Sequence, residues 1–254
     1  MGTKVKVVIP IHRETLTPHE RRSLRHNLEQ LRRYPVAILC PEGMPLPAEA
    51  AGLETVRVSD EWLGPRNGIA GYNRMMLSRA FYDLFADCEY ILICQPDVWI
   101  FRDELEMWCG RGYDCVGAPW PRKPLYERPW SRLWLRLRRR LASSGRILRS
   151  DLFDRVGNGG LSLRRVESFR RACDRYQATA ERFLADPHPL YNEDVFWAIV
   201  PAEFRYPAAD EARRFAIDLK PELSLQRNGG ALPFGCHGWF RPERLAFWSR
   251  YIPN

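Results

Sequence analysis

Between residues 3 and 101 the chain alternates strand-like and helix-like segments, which confines it to folds built on a mostly parallel sheet with flanking helices. "KVKVVIPI" (4–11) reads as a strand. "TPHERRSLRHNLEQLRR" (17–33) has a Thr-Pro start and Leu24, Leu28 and Leu31 at helical spacing. "VAILC" (36–40) and "ETVRV" (54–58) are further strands, "GYNRMMLSRAFYDLF" (71–85) reads as one helix, and "YILICQ" (90–95) as a central strand. Open sheets of this kind bind ligands beyond the C-terminal ends of their strands. There the chain runs into Gln95, Pro96 and Asp97 before returning to the apolar "VWIF". A carboxylate with apolar neighbours on both sides is costly to desolvate unless something pairs with it.

Of the 254 residues, 45% are hydrophobic and 12% aromatic, enough for a real core and against global disorder. The net charge of +8 favours an anionic partner: nucleic acid, acidic lipid or a phosphorylated small molecule. The seven cysteines, at 40, 88, 94, 109, 115, 173 and 236, form no CxxC pair and are odd in number. That pattern reads as reduced thiols and a cytoplasmic location. The first residues enter a strand directly and do not resemble a signal peptide. No apolar run approaches the roughly 20 residues that span a bilayer.

Three further segments carry chemistry-bearing residues. "VGNGGLSLRR" (156–165) offers Asn158, Gly159 and Gly160, which suit either a tight turn or a ligand lying against backbone. In "YNEDVFW" (191–197), Glu193 and Asp194 sit at a helix start that Asn192 is able to cap. One of those carboxylates either serves the helix dipole or accepts a proton from a substrate hydroxyl. "LPFGCHGWF" (232–240) reads as a loop with His237 between Gly235 and Gly238. Histidine pairing of the HxH or HxxxH kind is absent, so a zinc site does not fit. An Asp at a strand end suits an oxygen-preferring divalent cation instead. "DEARRFA" (210–216) and "PERLAFWSRYI" (242–252) read as helices.

The order of "VVIPIHRE", "YPVAILCPEGM", "GYNRMMLS", "YILICQPDVWIFRDELEMWC", "GYDCVGAPW", "VGNGGLSLRR", "NEDVFW" and "LPFGCHGW" resembles the GT-A glycosyltransferases. It resembles more closely the domain-of-unknown-function family 5672, which is expected to share that fold. The resemblance implies one α/β, GT-A-like (Rossmann-like) domain over residues 1–254, with a mostly parallel central sheet flanked by helices. It implies an inverting enzyme that moves a sugar from a nucleoside-diphosphate sugar to a hydroxyl of a glycan, lipid-linked or small-molecule acceptor. Asp97 matches the last Asp of the family's DxD motif and His237 its late histidine, the pair that holds Mn2+ or Mg2+. Gln95 stands where the first Asp of that motif would be. Asp194 matches the general base, with Glu193 its rival. Pro10, His12, Asn73, Arg74, Gln95, Asn158, Gly159 and Gly160 fall on segments that line the donor and acceptor pockets, with Asn73 and Arg74 expected to open a helix there.

Residues 121–150 stand apart as an arginine-rich insertion, with Trp130, Leu133, Trp134, Leu135, Leu137 and Leu141 among the basic residues. Two readings stay open: a solvated helix whose apolar residues pack on the domain, or an amphipathic helix lying on an anionic membrane surface. Two other functions compete with sugar transfer. A nucleotidyltransferase on a similar scaffold would usually want a Gly-rich basic loop after the first strand, which "PIHRETLTP" is not. A nucleic-acid-binding protein is suggested by charge, yet no nucleic-acid module is recognisable and none is expected to bind.

Overall fold

The computed structural model describes residues 3–143, 145–157 and 159–253. Strand β1 (Thr3–Pro10) leads to α1 (Pro18–Gln30), β2 (Val36–Pro41) and β3 (Glu54–Val58). Thr17 starts α1: its hydroxyl accepts from the Glu20 amide at 3.3 Å, and the Glu20 carboxylate accepts from the Thr17 amide at 2.8 Å. This reciprocal cap fixes the helix where the Thr-Pro signal put it. Next come α2 (Gly68–Met76), α3 (Arg79–Asp83), β4 (Cys88–Cys94), β5 (Val98–Ile100), α4 (Leu105–Gly110), β6 (Cys115–Gly117) and α5 (Pro129–Leu141). The remainder supplies β7 (Leu161–Arg165), α6 (Val166–Arg175), α7 (Gln177–Leu184), α8 (Glu193–Ile199), α9 (Ala209–Phe215), β8 (Ala216–Ile217), α10 (Pro221–Arg227), β9 (Gly235–His237) and α11 (Pro242–Trp248).

The main sheet has the order β3-β2-β1-β4-β7-β6. Its first four strands pair in parallel, whereas β7 is antiparallel to both β4 and β6. Strand β4 is central and buried on both faces. Ile91 and Ile93 enter one core with Phe81, Phe85, Phe169 and Trp197; Tyr90 and Leu92 enter the other with Leu24, Leu31, Trp108 and Phe215. This period-two division is what a pleated strand covered on both sides requires. The strand order reverses between β1 and β4, and such a switch point opens a crevice beyond the strand ends.

A second, three-stranded sheet has the order β5-β9-β8. Strands β5 and β9 run antiparallel, pairing Val98 with His237, Trp99 with Cys236 and Ile100 with Gly235. The segment "LPFGCHGWF" therefore contains a buried strand where the sequence suggested a loop. Gly, Cys and His have little strand preference, so their extended conformation comes from pairing with β5 and β8. Trp99, Trp239 and Trp248 form the core behind it.

The segment read as one helix over 71–85 is two. Ser78 is extended, and the Tyr82 hydroxyl donates to the Met76 carbonyl at 3.0 Å, satisfying an acceptor freed by the break. Because α2 begins at Gly68, Asn73 and Arg74 lie in its second half, not at its opening turn. All seven cysteines are free and buried. Among the described residues, no helix is long and apolar enough to cross a membrane.

The fully buried Ile93 tests the central strand. Ile93→Ala is expected to lower unfolding free energy by about 2–5 kcal/mol in a denaturant titration with unchanged slope.

Candidate active site

At the end of β4 the chain turns sharply. The Val98 amide donates to the Gln95 carbonyl at 3.0 Å, and the Gln95 amide donates to the Gly160 carbonyl at 3.0 Å. The chain then re-enters extended structure as β5, whose pairing with β9 carries His237 to the turn. Asp97 Oδ1 lies 3.1 Å from His237 Nε2, and the Gly238 amide donates to the Asp97 carbonyl at 2.9 Å. On its other side, His237 Nδ1 lies 3.3 Å from Asp218 Oδ1, just beyond β8. Arg244 pairs with Asp218, and Arg241 stands 3.7 Å from Asp97 Oδ2.

Burial alone would push the His237 ring toward its neutral form, but Asp97 and Asp218 outweigh it and raise its pKa to about 10. Desolvation likewise opposes ionisation of both carboxylates. The His237 charge and hydrogen bonds, with the arginines, reverse that and hold Asp97 and Asp218 below the usual carboxylate range. Gly160 makes the arrangement sterically possible: a Cβ there would sit 2.2 Å from His237 Nε2.

A cleft of about 300 Å³ opens beyond the ends of β1 and β4. Pro10, His12, Gln95 and Asp97 line it, together with Arg13, Ile69 and Tyr72. The Gln95 side chain donates to the Tyr72 hydroxyl at 3.3 Å, while its Oε1 lies 3.2 Å from His237 Nε2. Arg74 is exposed and does not line this cleft. Asn73 is buried, and both ends of its amide are committed to protein groups. It donates to Asn192 Oδ1 at 3.0 Å and accepts from the Glu193 amide at 3.1 Å. Asn73 thus caps α8 from another helix, the role the sequence suggested for Asn192, whose own side chain makes no cap bond. Asn158 lies outside the described residues.

The acidic pair at the start of α8 divides. Glu193 is buried and its carboxylate meets the equally buried Arg164 guanidinium at 3.1 Å. Gly159 permits that contact, because a Cβ would fall 2.3 Å from Glu193 Oε1. Asp194 is only partly covered and has no such counter-ion among the described residues; its Oδ1 accepts from the Val195 amide at 2.8 Å. Burial, then the Glu193 charge, push its carboxyl up to about 7. A carboxyl that titrates near neutrality is suited to taking a proton.

The donor atoms fit a divalent cation of the magnesium or manganese kind. Asp97 Oδ1 and Gln95 Oε1 stand 3.1 and 3.2 Å from His237 Nε2. Such ions often take few protein ligands and complete their shell with substrate phosphate and water. His237 would have to release its Nε2 proton on loading. Among the described residues, no group of three or more His, Cys, Asp or Glu side chains is arranged to hold a metal.

Sequence reasoning missed Asp218, Arg164, Arg241 and Arg244. Asp218 follows the two-residue strand β8, too short to show a pattern, and only the pairing of β8 with β9 places it beside His237. Arg164 sat in the quoted "SLRR", where alternation along β7 would have pointed one arginine inward.

This architecture is that of the GT-A glycosyltransferases. Mouse xyloside xylosyltransferase 1 in its apo form superposes with a TM-score of 0.54 at 12% identity, over 93% of this chain and 97% of that one. The galactosyltransferase LgtC, in complex with donor and acceptor sugar analogues, gives 0.52 at 12% identity, over 98% and 96% of the two chains. A search of curated proteins gives no significant match. The family model described as "Protein of unknown function (DUF5672)" matches residues 52–237, and the chain belongs to that family.

Two stability predictions follow from the acidic pair. Glu193→Ala leaves Arg164 charged and buried, and is expected to cost about 3–5 kcal/mol in chemical denaturation. Asp194 acts in the opposite sense, because its folded pKa of about 7 exceeds its ordinary value of 3.8. The native state binds the extra proton, so stability falls as pH rises through that window. Asp194→Asn should therefore stabilise the protein by about 2–4 kcal/mol above pH 7, with the gain vanishing in acid.

Proposed function

We propose that the chain is an inverting glycosyltransferase that moves a sugar from a nucleoside-diphosphate donor to a hydroxyl of a glycan, lipid-linked or small-molecule acceptor. The reading takes residues 1–254 as one catalytic domain with 121–150 inserted. The observation that carries it is the meeting of Asp97, which lines a cleft at the strand-order reversal of a GT-A fold, with His237 3.1 Å away.

The donor's nucleoside and diphosphate enter the cleft between the ends of β1 and β4. Pro10 and His12 border it, and the exposed Arg13 and Arg241 supply positive charge for phosphate. Asp97 and His237, with the Gln95 amide beside them, would hold Mn2+ or Mg2+. Such a cation would supply a Lewis acid for the negative charge that develops on the departing diphosphate. Asp218, with Arg244 behind it, keeps the His237 ring oriented, as an outer partner does for a ligating histidine. Gly159 and Gly160, with no side chains, let Glu193 and His237 pack against backbone beside the cleft. Asp194 accepts the proton of the acceptor hydroxyl as oxygen attacks the anomeric carbon. Glu193, fixed by Arg164, keeps that carboxyl basic. Attack assisted by a base on the face opposite the leaving group inverts the anomeric centre.

Asp194→Asn should retain donor binding and lower kcat by about 10²–10⁴-fold. In the parent enzyme, kcat/KM should fall tenfold per pH unit below about 7, as Asp194 becomes protonated. Asp97→Ala and His237→Ala should each remove manganese-stimulated turnover. Nucleoside diphosphate release and the anomer of the product, read by NMR, complete the test. Pyrophosphate release would indicate nucleotidyl transfer instead, and a retained anomer would remove the base assignment from Asp194.

A further inference from the structure

The arginine-rich insertion forms a helix whose apolar face points away from the protein. Trp130, Leu133, Trp134, Leu137 and Leu141 are 52–79% exposed. At 3.6 residues per turn they occupy one stripe about 100° wide along α5. Arg138 borders the stripe on one side and Arg136 and Arg140 on the other, with Arg132 and Arg139 further round. The helix rests on the body through a different side, where Ser131 is buried and Leu135 half-buried.

That orientation is fixed by contacts on both flanks. Arg139 reaches Asp151 at 3.0 Å after the helix, and Tyr126 stacks on Phe153 before it, with ring centroids 5.1 Å apart. Arg128 lies over Trp130 at 5.3 Å and Arg138 over Trp134 at 5.4 Å, so guanidinium groups ride beside the two exposed indoles. From residue 128 to 150 there is no acidic side chain.

We infer that α5 is an in-plane anchor for a membrane surface rich in anionic lipid. A stripe of large apolar residues between rows of arginine matches the layering of a bilayer interface, with acyl chains below and phosphate headgroups at the height of the flanking charges. Indole rings bordered by guanidinium groups suit the same boundary. A second copy of the chain fits poorly, since pairing two such faces would bring arginine rows together with no acid between them. Nucleic acid fits poorly as well, because the centre of the exposed face is apolar and its charge lies at the edges.

The inference is tested on the full chain by co-sedimentation with phosphatidylcholine vesicles, plain or containing about one third phosphatidylglycerol. Binding to anionic vesicles is expected to exceed binding to neutral ones by about tenfold, and to fall as salt rises from about 0.1 to 0.5 M. The double variant Leu133→Glu with Leu137→Glu, at two exposed positions, should keep the parent's thermal unfolding midpoint and lose vesicle binding by about tenfold or more. Arg136→Glu with Arg140→Glu should abolish the preference for anionic lipid. Absence of binding, equal binding to both vesicle types, or undiminished binding of the Leu133/Leu137 variant would each overturn it. So would a parent dimer, seen by light scattering, that the Leu133/Leu137 variant dissolves while vesicles go unbound.

Discussion

One imidazolium held between two carboxylates joins the two sheets of this protein. Asp97 belongs to the turn that leaves the main sheet, whereas His237 and Asp218 belong to the small one. Two buried charges, His237 and Asp218, and the half-buried Asp97 would be costly singly. Together, with Arg244 on Asp218 and Arg241 near Asp97, they compensate one another. The small sheet has only short strands and depends on this clamp and on the tryptophans behind it. The same clamp holds the His237 ring beside Asp97 and Gln95, which line the cleft, so the interaction that organises the fold also organises the candidate chemistry.

A second buried pair performs a comparable service across the site. Arg164 and Glu193 fix the first turn of α8 against β7, and Asn73 ties that turn to α2. Among the described residues Asp194 is then the carboxylate left without a counter-ion, and burial, followed by the neighbouring Glu193 charge, makes it unusually basic. Adjacent residues in the chain thereby acquire different roles through their surroundings alone. The two glycines before β7 serve both pairs, each occupying a place where a single Cβ would collide with a charged side chain.

Much of the main sheet was legible in the sequence, because its strands carry continuous or alternating apolar runs and α1 carries a capping signal. The break between α2 and α3 was hidden, since Leu77 and Ser78 disturb neither apolar spacing nor composition. Strand β9 was unreadable locally, because its three residues are extended only through their neighbours. At the site, Asp97 and His237 were legible as chemistry-bearing residues at punctuated positions. Asp218 and Arg244 were not, because their importance arises from a pairing between strands too short to leave a pattern. Residues 128–141 show the converse. The sequence showed an amphipathic helix without saying which face meets the protein, and the structure turns the arginine-flanked apolar stripe outward.

The most direct test of the central clamp is the protonation of His237, followed by nitrogen chemical shifts of its ring in isotope-labelled protein across a pH series. In metal-free protein both ring nitrogens are predicted to remain protonated through neutrality, with a midpoint near 10. A neutral ring at neutral pH, titrating near the ordinary 6.5, would contradict the carboxylate–imidazolium–carboxylate arrangement and the organisation of the site that rests on it.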